Sequence, residues 1–303
     1  MIRPTSVLLA LLGASSVLAA PSLVARQSVD DTTVLNFALT LEHLENAFYR
    51  EGLAKLDQAA FAAAGFEPWV RNRFEQIAGH EATHVDVLTK ALGDAATKPC
   101  EYNFPFDDPH SFASLSMAFE TVGASAYTGA ARLLSNKDTL TEAASILSVE
   151  ARQAAWVASA VLQGPAWNGP FDTPLGLNGV FSIASQFLKS CPSTNPKFPV
   201  KILPALTLAS EKAAPSAPAT FKFDLPADVA SQPLFLAYFS GFDVKYSDLS
   251  KNGDSFTTTI PGGLQGTVYA AVVKSNTETA TDDTILTGLA MLEFPFSSYE
   301  KNL

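Results

Sequence analysis

The sequence predicts an α+β chain in parts: a four-helix bundle with a fifth short helix over 30–191, then a small antiparallel β-sandwich domain over 221–303. Three observations predict it. Apolar residues recur at helical spacing through 30–191. Aromatic and β-branched runs broken by Pro, Gly, Asn and Asp follow from about residue 220. Between them, 192–220 is rich in proline and alanine, with "KAAPSAPATF" at 212–221 reading as a linker.

The helices follow from their end signals. The first starts at the Asp30-Asp31 cap and runs to about Glu51. The second opens with "EPWV", where Pro68 in the first turn loses no hydrogen bond, and ends near "LGD". A long connection holding Cys100 follows. The third helix opens after Asp108-Pro109 and ends before "SNKD". The fourth begins at Thr139-x-x-Glu142, a capping-box pattern, and runs to Gln163-Gly164. The fifth covers roughly 177–190 and ends at Cys191. Short connections make antiparallel pairs of the first two and last two long helices, and the long link crosses over. The expected strands are "FKFDLP", "PLFLAYFS", "FDVKYSDL", "DSFTTTIP", "GTVYAAVVKS" and "TGLAMLEFPF". Nothing in them reads as catalytic, since no histidine follows His110. A structural or binding role is expected there, toward a cell-wall or extracellular partner.

Composition limits the function classes. Apolar residues make up 47% and charged ones 17%, as in a well-buried globular protein. The net charge of −10 argues against nucleic acid or an anionic membrane surface as partner. Residues 1–19 read as a secretory signal peptide: Arg3, an apolar run, then small residues, with cleavage after Ala19. That run is too short for a membrane span, and no other stretch is long enough. The expected location is secreted, extracellular or in the cell wall, with Arg26 as a second trimming point. Cys100 and Cys191 are the two cysteines, and an oxidising compartment favours their pairing. There is no Asn-X-Ser/Thr sequon.

Charges on the inner faces carry the functional signal. On the second helix Val70, Phe74, Ile77, Glu81, His84 and Leu88 form one stripe, opposite Asn72, Glu75, Gly79, Thr83, Asp86 and Lys90. Glu81 and His84 therefore sit mid-way along the apolar face. On the fourth helix Glu150 is the one charge among Ala143, Ile146, Leu147, Ala154, Val157 and Val161. On the first, Ala38, Glu42, Glu45 and Tyr49 lie opposite Asn36, Thr40, His43 and Arg50. Glu120 is the only acidic residue of the third. The two helix pairs also look like copies of one unit. Glu42 and Glu120 are each followed seven residues later by a tyrosine, Tyr49 and Tyr127. Glu81 heads Glu-x-x-His, and Glu150 heads Glu-x-x-Gln153.

A buried carboxylate costs several kcal/mol unless it is paired, protonated or metal-bound. These helices offer no inward lysine or arginine to match their glutamates. Two divalent cations would balance four carboxylates, and oxygen ligands with one imidazole suit iron or manganese.

This arrangement resembles the ferritin-like di-iron carboxylate bundle, in which two helices each give a Glu and two each give Glu-x-x-His. With its export signal and trailing β domain, the chain is most similar to fungal secreted ferritin-like domain proteins of the stress-response or sexual-development type. "LNFALTLEHLENAFY" and "GHEATHVDVL" carry most of the likeness, which covers 30–191. The resemblance implies Glu42, Glu81 (bridging), His84, Glu120 and Glu150 (bridging) as metal ligands. Gln153 stands where a second histidine is usual, and a neutral amide is the weaker ligand. Glu45, one turn along from Glu42, is an accessory candidate. Two functions follow: an exported iron or manganese protein supporting oxidant-linked chemistry, or a non-catalytic secreted structural or binding protein with a degenerate site. An iron-storage cage fits poorly with an export signal and a bulky C-terminal domain. Neither the residues nor the resemblance names a substrate.

Overall fold

The structure is a computed structural model and describes residues 29–302. The expected signal peptide and the Arg26 trimming point lie outside the described residues.

Four long helices form the N-terminal part: α1 (Asp31–Lys55), α3 (Pro68–Leu92), α4 (Pro109–Ala130) and α5 (Lys137–Trp156). A short α2 (Gln58–Ala63) lies between α1 and α3. Asp30 caps α1 through the Thr33 amide, and Asp108 caps α4 in a reciprocal box with Ser111. Pro68 occupies the first turn of α3, as expected. α1 packs mainly on α3, and α4 on α5. Arg71, early in α3, donates to the carbonyls of Leu53 and Leu56 at the end of α1. Just past α3, the Thr97 amide donates to Asn36 near the start of α1. The two helices therefore run antiparallel.

Three local expectations are corrected. The cap of α5 is Asn136, whose side chain accepts from the amides of Asp138 and Thr139. It stands one turn before Thr139 and wins because it reaches two free amides at once. Replacing Asn136 with Ala should cost about 1 kcal/mol in a urea unfolding experiment. The α-helical part of α5 ends at Trp156, and Val157–Val161 continue as a π-helical turn. The fifth helix, α6, covers only Leu177–Ala184. Beyond it Leu188–Ser190 is extended as β2, pairing antiparallel with β1 (Glu101–Tyr102). The Cys100–Cys191 disulfide closes this small ladder and ties the α3–α4 crossover to the chain leaving α6.

Seven strands form the C-terminal part: β3 (Thr207–Leu208), β4 (Pro218–Lys222), β5 (Leu234–Ser240), β6 (Asp243–Asn252), β7 (Ser255–Thr259), β8 (Gly266–Val273) and β9 (Ala290–Phe294). A single turn, α7 (Ala227–Ala230), separates β4 from β5. The expected two-layer sandwich is replaced by one continuous antiparallel sheet, ordered β3-β4-β7-β6-β5-β8-β9 and curled into a near-closed barrel. The cause is β6. Its first seven residues pair with β5 and its last three with β7, so one strand joins what would be separate sheets. β3 lies within the expected linker and pairs with β4.

Strand alternation explains how the two parts join. Leu236, Tyr238, Val268, Ala270 and Val272 point into the barrel core. The alternate residues Ala237, Tyr269, Ala271 and Val273 belong to the same core as the helices. β8 is consequently buried along its whole length. The join also has polar contacts. Tyr269 Oη lies 3.1 Å from Ser125 Oγ on α4. Asp282, from the β8–β9 connection, accepts from the amides of Asn178 and Gly179 at the start of α6. The cap position of α6 is Gly176, which has no side chain to do this. At Gly129 a Cβ would fall 1.8 Å from the Leu175 carbonyl oxygen, so α4 meets the 173–176 segment only because that position is glycine.

Candidate metal centre

The buried residues of α3 are Val70, Phe74, Ile77, Glu81, His84 and Leu88, the same six that sequence periodicity placed on its apolar stripe. Glu81 and His84 therefore face the bundle interior. Glu42 comes from α1, Glu120 from α4 and Glu150 from α5, and all three are fully buried, as is Glu81. Glu45 and Gln153 are buried as well, one turn from Glu42 and Glu150 respectively. Side chains from all four long helices thus meet in one interior.

His84 organises one end of the cluster. Its Nδ1 lies 3.1 Å from Glu81 Oε2, 3.2 Å from Glu42 Oε2 and 3.4 Å from Glu150 Oε1. One ligand-capable atom from each of these four residues falls within 4.8 Å of the others, a grouping able to hold a metal ion. Glu120, Glu45 and Gln153 surround this group without belonging to it. Gln153 Nε2 donates to Glu81 Oε1 at 2.7 Å. Gln153 Oε1, Glu120 Oε2 and Glu150 Oε2 are buried with no hydrogen-bond donor, and Glu150 Oε1 has only the long contact to His84.

The two tyrosines cross the bundle. Tyr49 of α1 donates to Glu120 of α4, and Tyr127 of α4 donates to Glu42 of α1. Each helix's tyrosine holds the other helix's glutamate, and the two bonds repeat the same exchange in both directions. Ser116 adds a 2.7 Å contact to the Tyr49 hydroxyl. Ser116 and Gly123 were not picked out from the sequence, although both lie one turn from Glu120 on α4. Gly123 matters because a Cβ there would stand 2.6 Å from Glu150 Oε2 and 3.1 Å from Glu45 Oε1. Only glycine leaves room for those two carboxylates beside α4.

One sequence expectation fails. Asn36 and His43, placed on the outer side of α1, are buried. The segment after α3 covers that side: Asn36 accepts from the Thr97 amide, and His43 Nε2 lies 3.1 Å from the Thr97 carbonyl. His43 is thus a packing residue, and burial lowers its pKa. His80 is exposed.

Electrostatics follow from five carboxyls in a closed space. Burial, and then mutual repulsion, raises Glu42 to about 7 and Glu150 to about 8. The same causes push Glu45 and Glu120 well above the usual carboxyl range. Burial also raises Tyr49 and Tyr127, reinforced by the charges of Glu120 and Glu42, so both hydroxyls stay protonated as donors. Burial alone would lower His84. Its contacts with Glu150, Glu42 and Glu81 prevail and push it up to about 12. Among the described residues no lysine or arginine is buried.

Residues 30–163 match the family model described as Ferritin-like domain. The chain is also 30% identical, over 187 residues, to Protein rds1 of Schizosaccharomyces pombe. That alignment covers 59% of this chain and 44% of the relative, so the chain spans under half the relative's length. Among the described residues no helix is long and apolar enough to cross a membrane.

Proposed function

From the premise of a ferritin-like domain at residues 30–163, we propose that this is an exported metal protein binding iron or manganese inside its bundle. Glu42, Glu81, His84 and Glu150 would be the principal ligands, with Glu120, Gln153 and Glu45 beside them. The observation that carries this reading is the convergence of Glu42, Glu81, His84 and Glu150 within 4.8 Å, with Glu120 Oε2, Glu150 Oε2 and Gln153 Oε1 left without donors. Buried oxygens normally find partners, and a divalent cation satisfies several at once. Oxygen donors with one imidazole suit iron or manganese. The Cys100–Cys191 disulfide supports the exported setting.

Bound iron or manganese would supply Lewis-acid and redox chemistry toward oxidants such as dioxygen or peroxide. The protein's own residues prepare the place for it. His84 must release its proton for Nδ1 to become a ligand. Tyr49 and Tyr127 orient Glu120 and Glu42 by donating to one oxygen each. Gln153 does the same for Glu81. Phe74 and Phe112 pack on the Tyr49 ring whose hydroxyl meets Glu120.

A second reading, a non-catalytic secreted scaffold, has one observation in its favour: His84 already offsets carboxylate charge without a metal. A thermal-shift titration separates the two. Mn(II) or anaerobic Fe(II) should raise the Tm of the native chain and leave that of Glu81→Ala unchanged. Equal response, or none in either, would favour the scaffold.

A further inference from the structure

A cavity lies outside the bundle interior, where the helical part meets the barrel. Its volume is about 370 Å³, within the range of about 300–1,000 Å³ usual for small-molecule sites. One wall is α5, which gives Ala151, Ala154, Ala155 and Ala158 at helical spacing, and side chains this short leave room beside the helix. α4 adds Met117, Thr121 and Ala124. α5 runs into the π-helical turn Val157–Val161, and the chain reverses at Gln163, whose φ of 57° is uncommon for a residue with a side chain. Residues 164–170 return along the same cavity and bring Trp167, 65% exposed, to its edge. Asn168 fixes that return. Its Oδ1 accepts from the Thr267 amide at 2.7 Å, and a Cβ on Gly266 would stand 2.5 Å from its Cα.

Formal charge in the cavity has one sign. Glu293 of β9 and Asp172 of the returning segment line it, and among the described residues no lysine, arginine or histidine does. Thr267 Oγ1 donates to Glu293 Oε1 at 2.9 Å, which leaves Oε2 for another donor. Glu293 keeps an open face, yet partial burial raises its carboxyl to about 7. Asp172 and Tyr269 of β8 are its titratable neighbours. Burial, with the charges of Glu293 and Asp172 added, keeps the Tyr269 hydroxyl protonated.

We propose that this cavity binds a small organic amine, its ammonium group on Glu293 and its apolar body on the alanine wall and the Trp167 indole. An anionic ligand would meet two like charges. An inorganic cation would leave the alanines and the indole without a part. An amine uses both, and a tryptophan face adds attraction for a cationic head.

The test is isothermal titration calorimetry of the full chain in chelator, so that the result does not depend on the metal centre. The probes are 2-phenylethylamine and hexylamine, with 2-phenylethanol as the uncharged counterpart. The native chain should bind both amines, and the alcohol about tenfold more weakly or worse. Amine affinity should rise with pH through about 7, because Glu293 must lose its proton to pair while the amine keeps its own. Glu293→Gln still accepts from Thr267 and should fold with an unchanged Tm. It should lose amine affinity by about tenfold or more, together with the pH dependence. Ala155→Leu fills the cavity and should weaken amine and alcohol alike. Equal amine binding by the native chain and Glu293→Gln would overturn the inference, as would no binding of either amine up to about 10 mM.

Discussion

In chelator, the chain should lose stability steadily as the pH rises from about 5 to about 8, by several kcal/mol in all. Buried carboxyls held protonated give this direction. Glu42 and Glu150 move from the ordinary 4.5 to about 7 and about 8, and Glu45 and Glu120 move the same way. Above pH 4.5 the unfolded chain releases protons that the folded chain retains. Each retained proton costs the fold about 1.4 kcal/mol per pH unit until the folded value is passed. His84 adds in the same sense. Its pairing contributes fully below its ordinary 6.5 and is lost as the pH climbs toward about 12. Metal should reverse the trend, because ligands bind as deprotonated groups and affinity rises with pH. Urea unfolding at three pH values, with chelator and with saturating Mn(II), measures both slopes. A flat metal-free profile would mean that the glutamates are not confined together.

Removing the disulfide should cost about 4–5 kcal/mol on the chain-entropy account, because the bond closes a loop with a sequence separation of 91. Noncovalent contacts also hold the crossover after α3: Thr97 meets Asn36 and His43, and Phe104 and Phe106 pack on Phe48. The β1–β2 ladder is two to three residues long, helped by the Asn103 amide on the Phe187 carbonyl and by Asn195 on the backbone of Lys98. The Cys100→Ser, Cys191→Ser double variant should keep its helical circular-dichroism spectrum and unfold at markedly lower urea. A loss below about 1 kcal/mol would show that the unfolded chain is already compact there.

The helices were legible where the sequence marks an end only once. Asp30, Pro68 and Asp108-Pro109 each have one reading, and each stands where expected. The start of α5 offered Asn136 and Thr139 within one turn, and local pattern could not rank them. Residues 188–190 were hidden because their partner, β1, lies far back in the chain beside Cys100. The barrel was hidden for a related reason. Period-two alternation marks strands, but only tertiary pairing shows that β6 serves two neighbours. At the site, the inward glutamates were legible as single charges on apolar stripes. The crossed tyrosine bonds were not, because a tyrosine seven residues from one glutamate says nothing about the glutamate across the bundle. Gly123 was silent too. Its part lies in a missing Cβ, which acquires meaning only when Glu45 and Glu150 are placed against it.

The central claim is that these buried glutamates and His84 hold metal. The most direct measurement is elemental analysis of the chain, secreted from a fungal host and purified without chelator. Stoichiometric iron or manganese, lost in Glu81→Ala, is the predicted result. A folded native chain that carries neither metal, and takes up neither when Fe(II) or Mn(II) is supplied, would contradict it.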